Sequence, residues 1–575
     1  MYFIELKSLI RDNKSIFFIK IIITIILAFL GPLSLFAQAY FIDEIEKMFG
    51  YNFDFAGILF PAIILALSLI LPNLTKVDNL INLKLNYKID LKWSIKFSKI
   101  VENIPFWLYE DENTYDKIKK SSENNMYKSM FSLFFSIIAL VVSITMYAVI
   151  LINVSVWLML SVTFFAPLVG YFSSRIAQKQ FDKINQLHPD RRRELYKSSV
   201  LRSRDYSKEI RINNSSEYML SDWLETQTEI NNKTLKINFK HGFFGALVSK
   251  TELLIIFLNL IIILVSFING HVSLGIFISL SNQIFRMRLL SRFQDVFSHL
   301  CVTKTIMSYY NEVVDLQVIT TKEHVKIEEV KTIEFKNVAF KYHNANDYIL
   351  KNISFKANAK ESIAIVGENG AGKSTLIKLL IGLYKPTSGD IFINGISLNL
   401  IDRYSFYSCI GIAFQDFAKF SLLLKENISM HEDEATIIKI ANQFKLDFVA
   451  KKHKKGYDVL LGKEFGESVD LSGGQWQGVA VARALCGDKK SLYIFDEPTA
   501  SFDPINEVEM FDKIKIMTNN QISMFITHRL GFTSRVDRIL LIKENSIYES
   551  GDFNSLITHK GEFYRMYNEQ KSLYM

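Results

Sequence analysis

Cysteine is scarce in this sequence, and the positions of the few cysteines exclude two classes of protein. Only Cys301, Cys409 and Cys486 occur in 575 residues, and they stand far apart. No two of them have a spacing typical of a metal site or a disulfide framework. We therefore expect reduced thiols that are buried or inert, as in a protein whose working site faces a reducing cytoplasm.

Clustered positive charge is also missing. The net charge of +8 is modest for this length, and the lysines and arginines form no stripe. Because nucleic-acid binding needs such a stripe, no nucleic-acid partner is expected. The chain contains no internal repeat and no low-complexity tract. Its length and its hydrophobic content of 49% predict two or three domains.

Charge of either sign is absent from four long runs, which predict membrane spans. These runs are residues 21–42, 55–75, 129–174 and 253–285. A spanning helix needs about 20 apolar residues, so the last two runs hold two spans each, with turns near Asn153 and Asn269. The fifth helix is expected to begin upstream of Glu252. The total is six spans. Buried helices of a soluble protein are the alternative, which runs of this length disfavour.

The flanking charges predict the orientation of the spans. Four basic residues precede the first span, whereas the loop after it, residues 43–54, is acidic. The connections 76–128 and 175–250 are rich in basic residues, which are retained on the cytoplasmic side. Both termini are therefore expected in the cytoplasm. The first run has no small-residue cleavage site and is interpreted as an anchor rather than a signal peptide.

The two long connections continue the helical pattern of the spans, and each contains a break. The breaks lie near Pro105 and at residues 207–214, where a short crossing helix fits; ordinary helix turns are the alternative. From Thr332 the pattern changes to short strands and α/β units. The predicted domains are a membrane domain at 1–316, a linker at 317–331 and an α/β domain at 332–575.

Residues 367–375, which read GENGAGKST, predict a phosphate-binding loop. They fit the pattern G-x-x-x-x-G-K-[ST] between an apolar strand and an apolar helix, a context that makes a chance match improbable. The glycines let backbone N–H groups point at phosphate oxygens, and Lys373 adds a positive charge. The Ser374 hydroxyl is placed to ligate Mg²⁺.

Two strand ends carry further candidate catalytic residues. The strand 492–495 ends in Asp496 and Glu497, where one carboxylate can hold a Mg²⁺ shell and the other can polarise an attacking water. The strand 523–526 is followed by His528, which could contact the γ-phosphate. Gln415 follows another strand and could reach a metal or water. Taken singly, the histidine and the glutamine are more often structural or surface residues.

Two more motifs concern the nucleotide. Tyr342, at the end of VAFKY, could stack on a purine ring, although aromatic residues on strands usually belong to the core. The sequence LSGGQ at 471–475 precedes a helix that Ser472 can cap, and its glycines allow backbone N–H groups to approach an anion. A second phosphate-seeking loop in one chain makes sense if it serves a nucleotide held by a partner subunit.

Over essentially its whole length, the chain resembles an ABC transporter half-molecule of the exporter type. The motifs that carry the resemblance are, in this order and at family-like spacing, GENGAGKST, LSGGQ, YIFDEPTA and ITH. The resemblance implies a six-helix, all-α membrane domain followed by an α/β P-loop ATPase domain, with ATP and Mg²⁺ as cofactors. Its partners would be the lipid bilayer, an amphipathic substrate and a second copy of the chain or a related half-transporter. It also implies a multi-pass protein of a bacterial plasma membrane.

The resemblance assigns a role to each matching residue. The implied catalytic residues are Glu497 as general base, His528 as switch histidine and Gln415. The implied ATP-binding residues are Tyr342, Gly367, Glu368, Asn369, Gly370, Ala371, Gly372, Lys373, Ser374 and Thr375. The residues implied to face the partner's ATP are Leu471, Ser472, Gly473, Gly474, Gln475 and Asp503. The implied magnesium ligands are Ser374, Gln415 and Asp496.

Some positions depart from the family pattern. Gly478 stands where a basic residue is usual, and Phe502 where leucine is commoner. Either Glu464 or Glu467 could serve cross-talk to the membrane domain. The sequence favours peptide export and resembles exporters of lantibiotics and other bacteriocins. Lipid flipping, multidrug export and an ATP-gated channel or receptor are the alternatives.

Overall fold

The computed structural model describes residues 10–11, 13–48, 59, 61–66, 73–152, 154–286, 288–317, 324–343, 345–487, 490–499 and 504–572. The chain forms two compact units. The first comprises residues 1–104 and 108–318, and the second comprises residues 105–107 and 319–575.

The described part of the first unit consists of helices without strands. The helices up to residue 314 are α1 (Lys14–Met48), α2 (Leu74–Glu102), α3 (Phe106–Tyr109), α4 (Glu112–Glu123), α5 (Met126–Ile152), α6 (Val156–Asn185), α7 (His188–Arg202), α8 (Ser207–Ile212), α9 (Ser216–Ile268), α10 (Leu274–Arg286) and α11 (Arg288–Val314). The first two residues of α3 are assigned to the second unit. The short helices α3 and α8 lie where the sequence pattern breaks. The 53-residue α9 begins far upstream of Glu252, as predicted.

Four of these helices, α1, α5, α6 and α9, are long and apolar enough to cross a membrane. They correspond to the first, third, fourth and fifth predicted spans. The second predicted span, 55–75, lies mostly outside the described residues. The sixth falls on α10, which has only 13 residues and is followed at Arg288 by the more polar α11. The predicted turns follow Ile152 and Ile268, and Asn153 itself is outside the described residues.

Aromatic residues hold one end of this helical unit together. Phe17 of α1 meets Phe131 of α5 edge-on at 5.7 Å between ring centroids. Trp93 of α2 packs against Tyr310 of α11 at 5.5 Å. Because Phe17, Phe131, Trp93 and Tyr310 are all buried, they join four helices in one apolar cluster. Burial of large rings is the main source of stability at such a junction.

The second unit contains two sheets. Its strands are β1 (Thr332–Phe340), β2 (Leu350–Asn358), β3 (Ser362–Gly367), β4 (Ser388–Ile393), β5 (Ile396–Ser397), β6 (Ile410–Ala413), β7 (Leu492–Asp496), β8 (Ile522–Ile526), β9 (Arg538–Lys543) and β10 (Ser546–Gly551). An antiparallel sheet has the order β2-β1-β4-β5, and a second sheet has the order β10-β9-β3-β8-β7-β6. In the second sheet, β9, β3, β8, β7 and β6 are parallel.

Helices connect and cover these strands. They are α12 (Lys373–Leu380), α13 (Arg403–Ser408), α14 (Leu424–Ile428), α15 (Glu434–Gln443), α16 (Asp447–Lys452), α17 (Gly473–Leu485), α18 (Pro504–Thr518), α19 (Phe553–His559) and α20 (Glu562–Ser572). The predicted architecture, a helical domain with candidate spans followed by an α/β domain, is confirmed.

The parallel sheet is buried on both faces. Ile363 and Ile365 of β3 point into one apolar cluster, and Ala364 and Val366 point into the other. A strand with apolar residues at every position is expected in a parallel sheet that helices or a second sheet cover on both sides. This packing fixes the carboxyl ends of β3, β7 and β8, which carry the predicted catalytic motifs.

The segment that precedes β1 packs on the second unit. Ile327 and Val330 are buried in the apolar cluster beneath the antiparallel sheet. Val325 also pairs with Ile401 in an isolated parallel bridge. Residues 324–331, within the proposed linker, therefore lie against the sheets of the second unit.

Candidate active site

The candidate site lies where three parallel strands end at one edge of the sheet. Ile365 of β3 pairs with Ile526 of β8, and Asp496 of β7 pairs with the same Ile526. The phosphate loop, the acid pair and His528 all follow these neighbouring strand ends. Ligands of open parallel sheets bind at this edge, because the loops after the strands converge there.

The phosphate loop curls tightly between β3 and α12. Gly367, Gly370 and Gly372 all have positive φ, at 151°, 81° and 96°. A Cβ on Gly367 would overlap the Ile542 carbonyl oxygen, so this position requires glycine. The loop delivers the chain to the N-terminus of α12, whose free N–H groups and dipole favour a phosphate.

Lys373 lies inside the curl of this loop. Its Nζ donates to the carbonyl oxygens of Gly367, at 3.0 Å, and Glu368, at 2.8 Å. Only 6% of the residue is exposed, and this burial lowers the pKa of Lys373, although the charges of Glu497 and Asp496 oppose the shift. A cation held in this position is a suitable partner for a bound polyphosphate.

Asp496 ends β7 beside the first turn of α12. Burial raises its pKa to about 6, against an opposing hydrogen bond from the Ser374 hydroxyl. A buried carboxylate is costly unless a positive charge accompanies it. The pairing of Ser374 with a buried acid therefore fits the expected magnesium site, in which the Ser374 hydroxyl oxygen and an Asp496 carboxylate oxygen would be ligands.

Glu497 is held by two of the predicted catalytic residues. Gln415 Nε2 donates to Glu497 Oε2 at 2.8 Å, and His528 Nε2 lies 2.9 Å from Glu497 Oε1. The backbone of Glu497 has φ of 50°, which is unfavourable for a residue that is not glycine. Strain of this kind persists where the surrounding structure fixes the residue, and it is common at functional sites.

His528 is electrically neutral in this setting. Burial and the charge of Lys373 lower its pKa, although Glu497 opposes the shift. At neutral pH the imidazole therefore donates a hydrogen bond to Glu497 rather than forming an ion pair. The three predicted catalytic residues, Glu497, Gln415 and His528, are thus brought together.

Four residues to which the sequence analysis gave no role support this group. Gln477 Nε2 donates to the Glu497 carbonyl at 2.7 Å. The buried Glu507 carboxylate accepts from Thr499 Oγ1 at 2.8 Å and also pairs with Arg529. These residues flank recognised motifs, but only the folded chain shows that their side chains meet.

Tyr342 lies just after β1 and next to the phosphate-loop helix. Its hydroxyl is 3.1 Å from Thr375 Oγ1. Its ring meets Phe340 edge-on at 5.0 Å and Tyr384 edge-on at 5.3 Å. The ring is therefore fixed at the border of the site, and its predicted contact with adenine stays a prediction.

The signature residues form the N-terminus of α17. Ser472 Oγ accepts from Gln475 N at 3.3 Å, and Gln475 Oε1 accepts from Ser472 N at 2.9 Å. This reciprocal cap leaves Ser472 and Gly473 exposed. Within the described residues, no hydrogen bond joins the signature to the phosphate loop of the same chain. Ala500–Asp503, with the predicted Asp503, are outside the described residues.

The two candidate cross-talk glutamates are both exposed. Glu467 pairs with Lys455 at 2.6 Å, whereas Glu464 stands on the surface three residues earlier. Their roles stay predictions.

Part of the second unit is similar to a known protein family. Residues 350–500 match the family described as ABC transporter. A β-(1→2)glucan export ATP-binding/permease protein of Bartonella bacilliformis is 35% identical over 238 residues, which are 41% of this chain and 39% of that protein.

Two relatives match over most of the chain. The nisin transport ATP-binding protein NisT of Lactococcus lactis subsp. lactis is 27% identical over 584 residues, covering 98% of this chain and 95% of the relative. The subtilin transport ATP-binding protein SpaT of Bacillus subtilis is 29% identical over 512 residues, covering 84% and 80%.

A solved structure has the same fold over almost the entire length. It is described as a bacterial Atm1-family ABC exporter with ATP bound. The TM-score is 0.80 at 19% identity, with coverage of 98% of this chain and 99% of that chain.

Proposed function

We propose that this chain, which is an ABC transporter of the half-transporter type, exports an amphipathic peptide across the plasma membrane of a bacterium. ATP hydrolysis by its ATPase domain drives the transport. The observation that carries the proposal is the Glu497 carboxylate, held between Gln415 and His528 beside the phosphate loop. Intact catalytic groups favour continuous turnover over a receptor or an ATP-gated channel.

The site residues suit the hydrolysis of ATP. Lys373 and the N-terminus of α12 would bind the β- and γ-phosphates and neutralise the charge that develops on them. Glu497 would accept a proton from the attacking water, and the neutral His528 would hold that carboxylate in place. Mg²⁺, held by Ser374 and Asp496 and reached by Gln415, would supply further positive charge to the phosphate oxygens.

A second subunit would complete each site. The exposed Gly473 presents its backbone N–H group at a helix N-terminus, a suitable surface for an anion. We propose that two copies of this chain sandwich ATP, with the signature of one copy facing the phosphate loop of the other. ATP binding would draw the copies together and open the transport path outward, and hydrolysis would reset it.

The relatives support a peptide as substrate. The two that match over most of the chain are named for nisin and subtilin, which are peptides. Their alignments include much of the membrane domain, which must contact the substrate. The glucan exporter matches only 41% of the chain and carries less information about the substrate.

Peptide transport into lipid vesicles tests this proposal, measured on the copies whose ATPase domains face outward. Lipid vesicles that contain the purified full chain would receive ATP and a fluorescent cationic amphipathic peptide, with parallel samples of a hydrophobic drug and a labelled lipid. We expect ATP-dependent accumulation of the peptide, and no accumulation with Lys373→Ala. Accumulation of the drug or movement of the lipid, without the peptide, would overturn the peptide assignment.

A further inference from the structure

The last helix, α20, lies beside the loop that carries His528. Gln570 Nε2 donates to the His528 carbonyl oxygen at 2.7 Å. In return, the backbone N–H of Leu530 donates to Gln570 Oε1 at 2.5 Å. One side-chain amide therefore binds the acceptor and the donor of two residues in the same loop, as a neighbouring strand would.

This helix has its own anchors in the second unit. The Glu549 carboxylate accepts from the N–H groups of Glu562, at 2.7 Å, and Phe563, at 3.0 Å, which cap the start of α20. Phe563 is fully buried, and the Tyr567 ring stacks on it with 6.3 Å between the ring centroids. The position of α20 is thus fixed by the core, so Gln570 is presented to the loop from a rigid support.

We propose that Gln570 is a positioning residue for ATP hydrolysis, because it fixes the backbone from which His528 reaches Glu497. The His528–Glu497 contact is 2.9 Å, close to the usual length of a hydrogen bond, so a backbone shift of about 1 Å would break it. From the other side, Arg529 pairs with the buried Glu507. This inference rests on the catalytic roles proposed above for Glu497 and His528.

The amide makes two separable contacts, which two substitutions distinguish. Gln570→Ala removes both, and we expect kcat for ATP hydrolysis to fall about tenfold, since a 1 Å displacement of a reacting group costs up to about 100-fold. Gln570→Glu keeps the size of the side chain and the acceptor for Leu530 but loses the donor to His528. Its carboxylate oxygen would also repel the His528 carbonyl oxygen, so we expect a loss of kcat at least as large as that of Gln570→Ala.

The measurements are kcat and KM for ATP, nucleotide affinity and the midpoint of thermal unfolding, all on the full chain in lipid vesicles. The matched control is Lys571→Gln, which changes the adjacent, exposed residue of the same helix. A positioning role predicts that kcat falls while KM, ATP affinity and the unfolding midpoint stay near those of the wild type. The control should retain wild-type values of all four.

Three results would overturn the inference. In the first, Gln570→Ala keeps kcat within about twofold of the wild type while His528→Ala loses activity; the proposed role of His528 then survives. In the second, kcat, affinity and unfolding midpoint all fall together in Gln570→Ala, which shows a purely structural role. In the third, Gln570→Ala does not fold and Gln570→Glu retains wild-type kcat. Wild-type turnover by His528→Ala would instead contradict the proposed catalytic role itself.

Discussion

Glu497 is the residue on which the chemistry of this account depends. It occupies a backbone conformation that is unfavourable for its residue type, with φ of 50°. Its carboxylate contacts Gln415 and His528, and Gln477 binds its carbonyl oxygen. Three contacts from separate segments of the chain would be an unusual arrangement for a residue with only a structural role.

Replacement of Glu497 tests its assignment as general base. Gln has the same size but cannot accept the proton of water, so we expect Glu497→Gln to lower ATP turnover by at least about 100-fold. ATP binding should persist, because the phosphate loop is unchanged. Phosphate release and equilibrium nucleotide binding, measured on the full chain, check both statements. Glu434→Gln, an exposed position, is the control. Undiminished turnover by Glu497→Gln would mean that another group is the base.

Asp496 gives a prediction about pH. Because burial raises its folded-state pKa from 3.8 to about 6, the folded protein keeps a proton between these values that the unfolded chain has released. Stability therefore falls as the pH rises through this window, by about 3 kcal/mol at most. In nucleotide-free protein, Asp496→Asn should raise the unfolding midpoint at pH 8 and raise it about half as much at pH 5, which lies within the window. Equal effects at both pH values would refute the assignment.

The same substitution tests the magnesium site. In the wild type, ATP with Mg²⁺ should raise the unfolding midpoint more than ATP alone, since a ligand that binds only the folded state stabilises it. Asp496→Asn should remove that difference. A magnesium effect of wild-type size in the variant would place the ion elsewhere.

At the residue scale the motifs located most of the residues that the structure brings together in the candidate site. Lys373, Asp496, Glu497 and His528 could be predicted because each follows a strand in a short, recognisable pattern. The pairs Glu507–Arg529 and Gln570–Leu530 could not, because their members lie 22 or more positions apart in sequence and no local pattern marks either pair. Only tertiary packing brings those groups together.

Among the elements, α17 contains an unusual glycine. Gly478 is buried in the helix interior, where a Cβ would meet Leu446 Cδ2 at 3.5 Å, an ordinary van der Waals distance. Glycine is costly inside a helix because it loses more backbone freedom on folding than alanine. The space and the helical conformation both permit a side chain of one carbon.

Gly478→Ala should therefore stabilise the protein by about 0.5–1 kcal/mol. The unfolding midpoint should rise and ATP turnover should stay unchanged, because Gly478 contacts no proposed catalytic residue among those described. A lower midpoint would show that the surroundings of Leu446 cannot accept a methyl group.

In the first unit, a glycine joins α10 to α1. Asp43 at the end of α1 accepts hydrogen bonds from Ser273 Oγ and Gly275 N, both at 2.6 Å. A Cβ on Gly275 would overlap the Ala39 carbonyl oxygen and come within 2.5 Å of Asp43 Oδ1. The two helices could not approach so closely with any other residue here.

Gly275→Ala should therefore destabilise the protein by about 1–3 kcal/mol, as overpacking does. The control is Gly245→Ala on α9, where a Cβ would meet nothing within 4 Å. Unfolding midpoints in detergent compare the two variants. Equal midpoints would show that α1 and α10 separate at little cost.

The helices and strands that could be predicted are those whose own sequence carries a continuous apolar run or a recognisable strand–loop–helix pattern. The apolar runs predicted α1, α5, α6 and α9, and the strand–loop–helix pattern predicted β3 and α12. The junction between α1 and α10 could not be predicted, because Asp43 and Gly275 are 232 residues apart.

For the whole molecule, the central claim is that this chain by itself forms a working ATP-driven exporter of amphipathic peptides. The claim rests on the ATPase site, on the apolar helices and on the two peptide transporters that match over most of the length of this chain. The claim also requires that two identical copies suffice for transport. The presence of every proposed catalytic residue in this chain supports that requirement.

The most direct test is the ATPase activity of the purified chain alone in lipid vesicles, with cationic amphipathic peptides, hydrophobic drugs or added lipids. Glu497→Gln provides the background rate. The account predicts basal turnover that the peptides increase and that drugs and lipids do not. Absence of turnover without a second protein would contradict the claim that the chain is sufficient, and stimulation by drugs or lipids alone would contradict its proposed substrate.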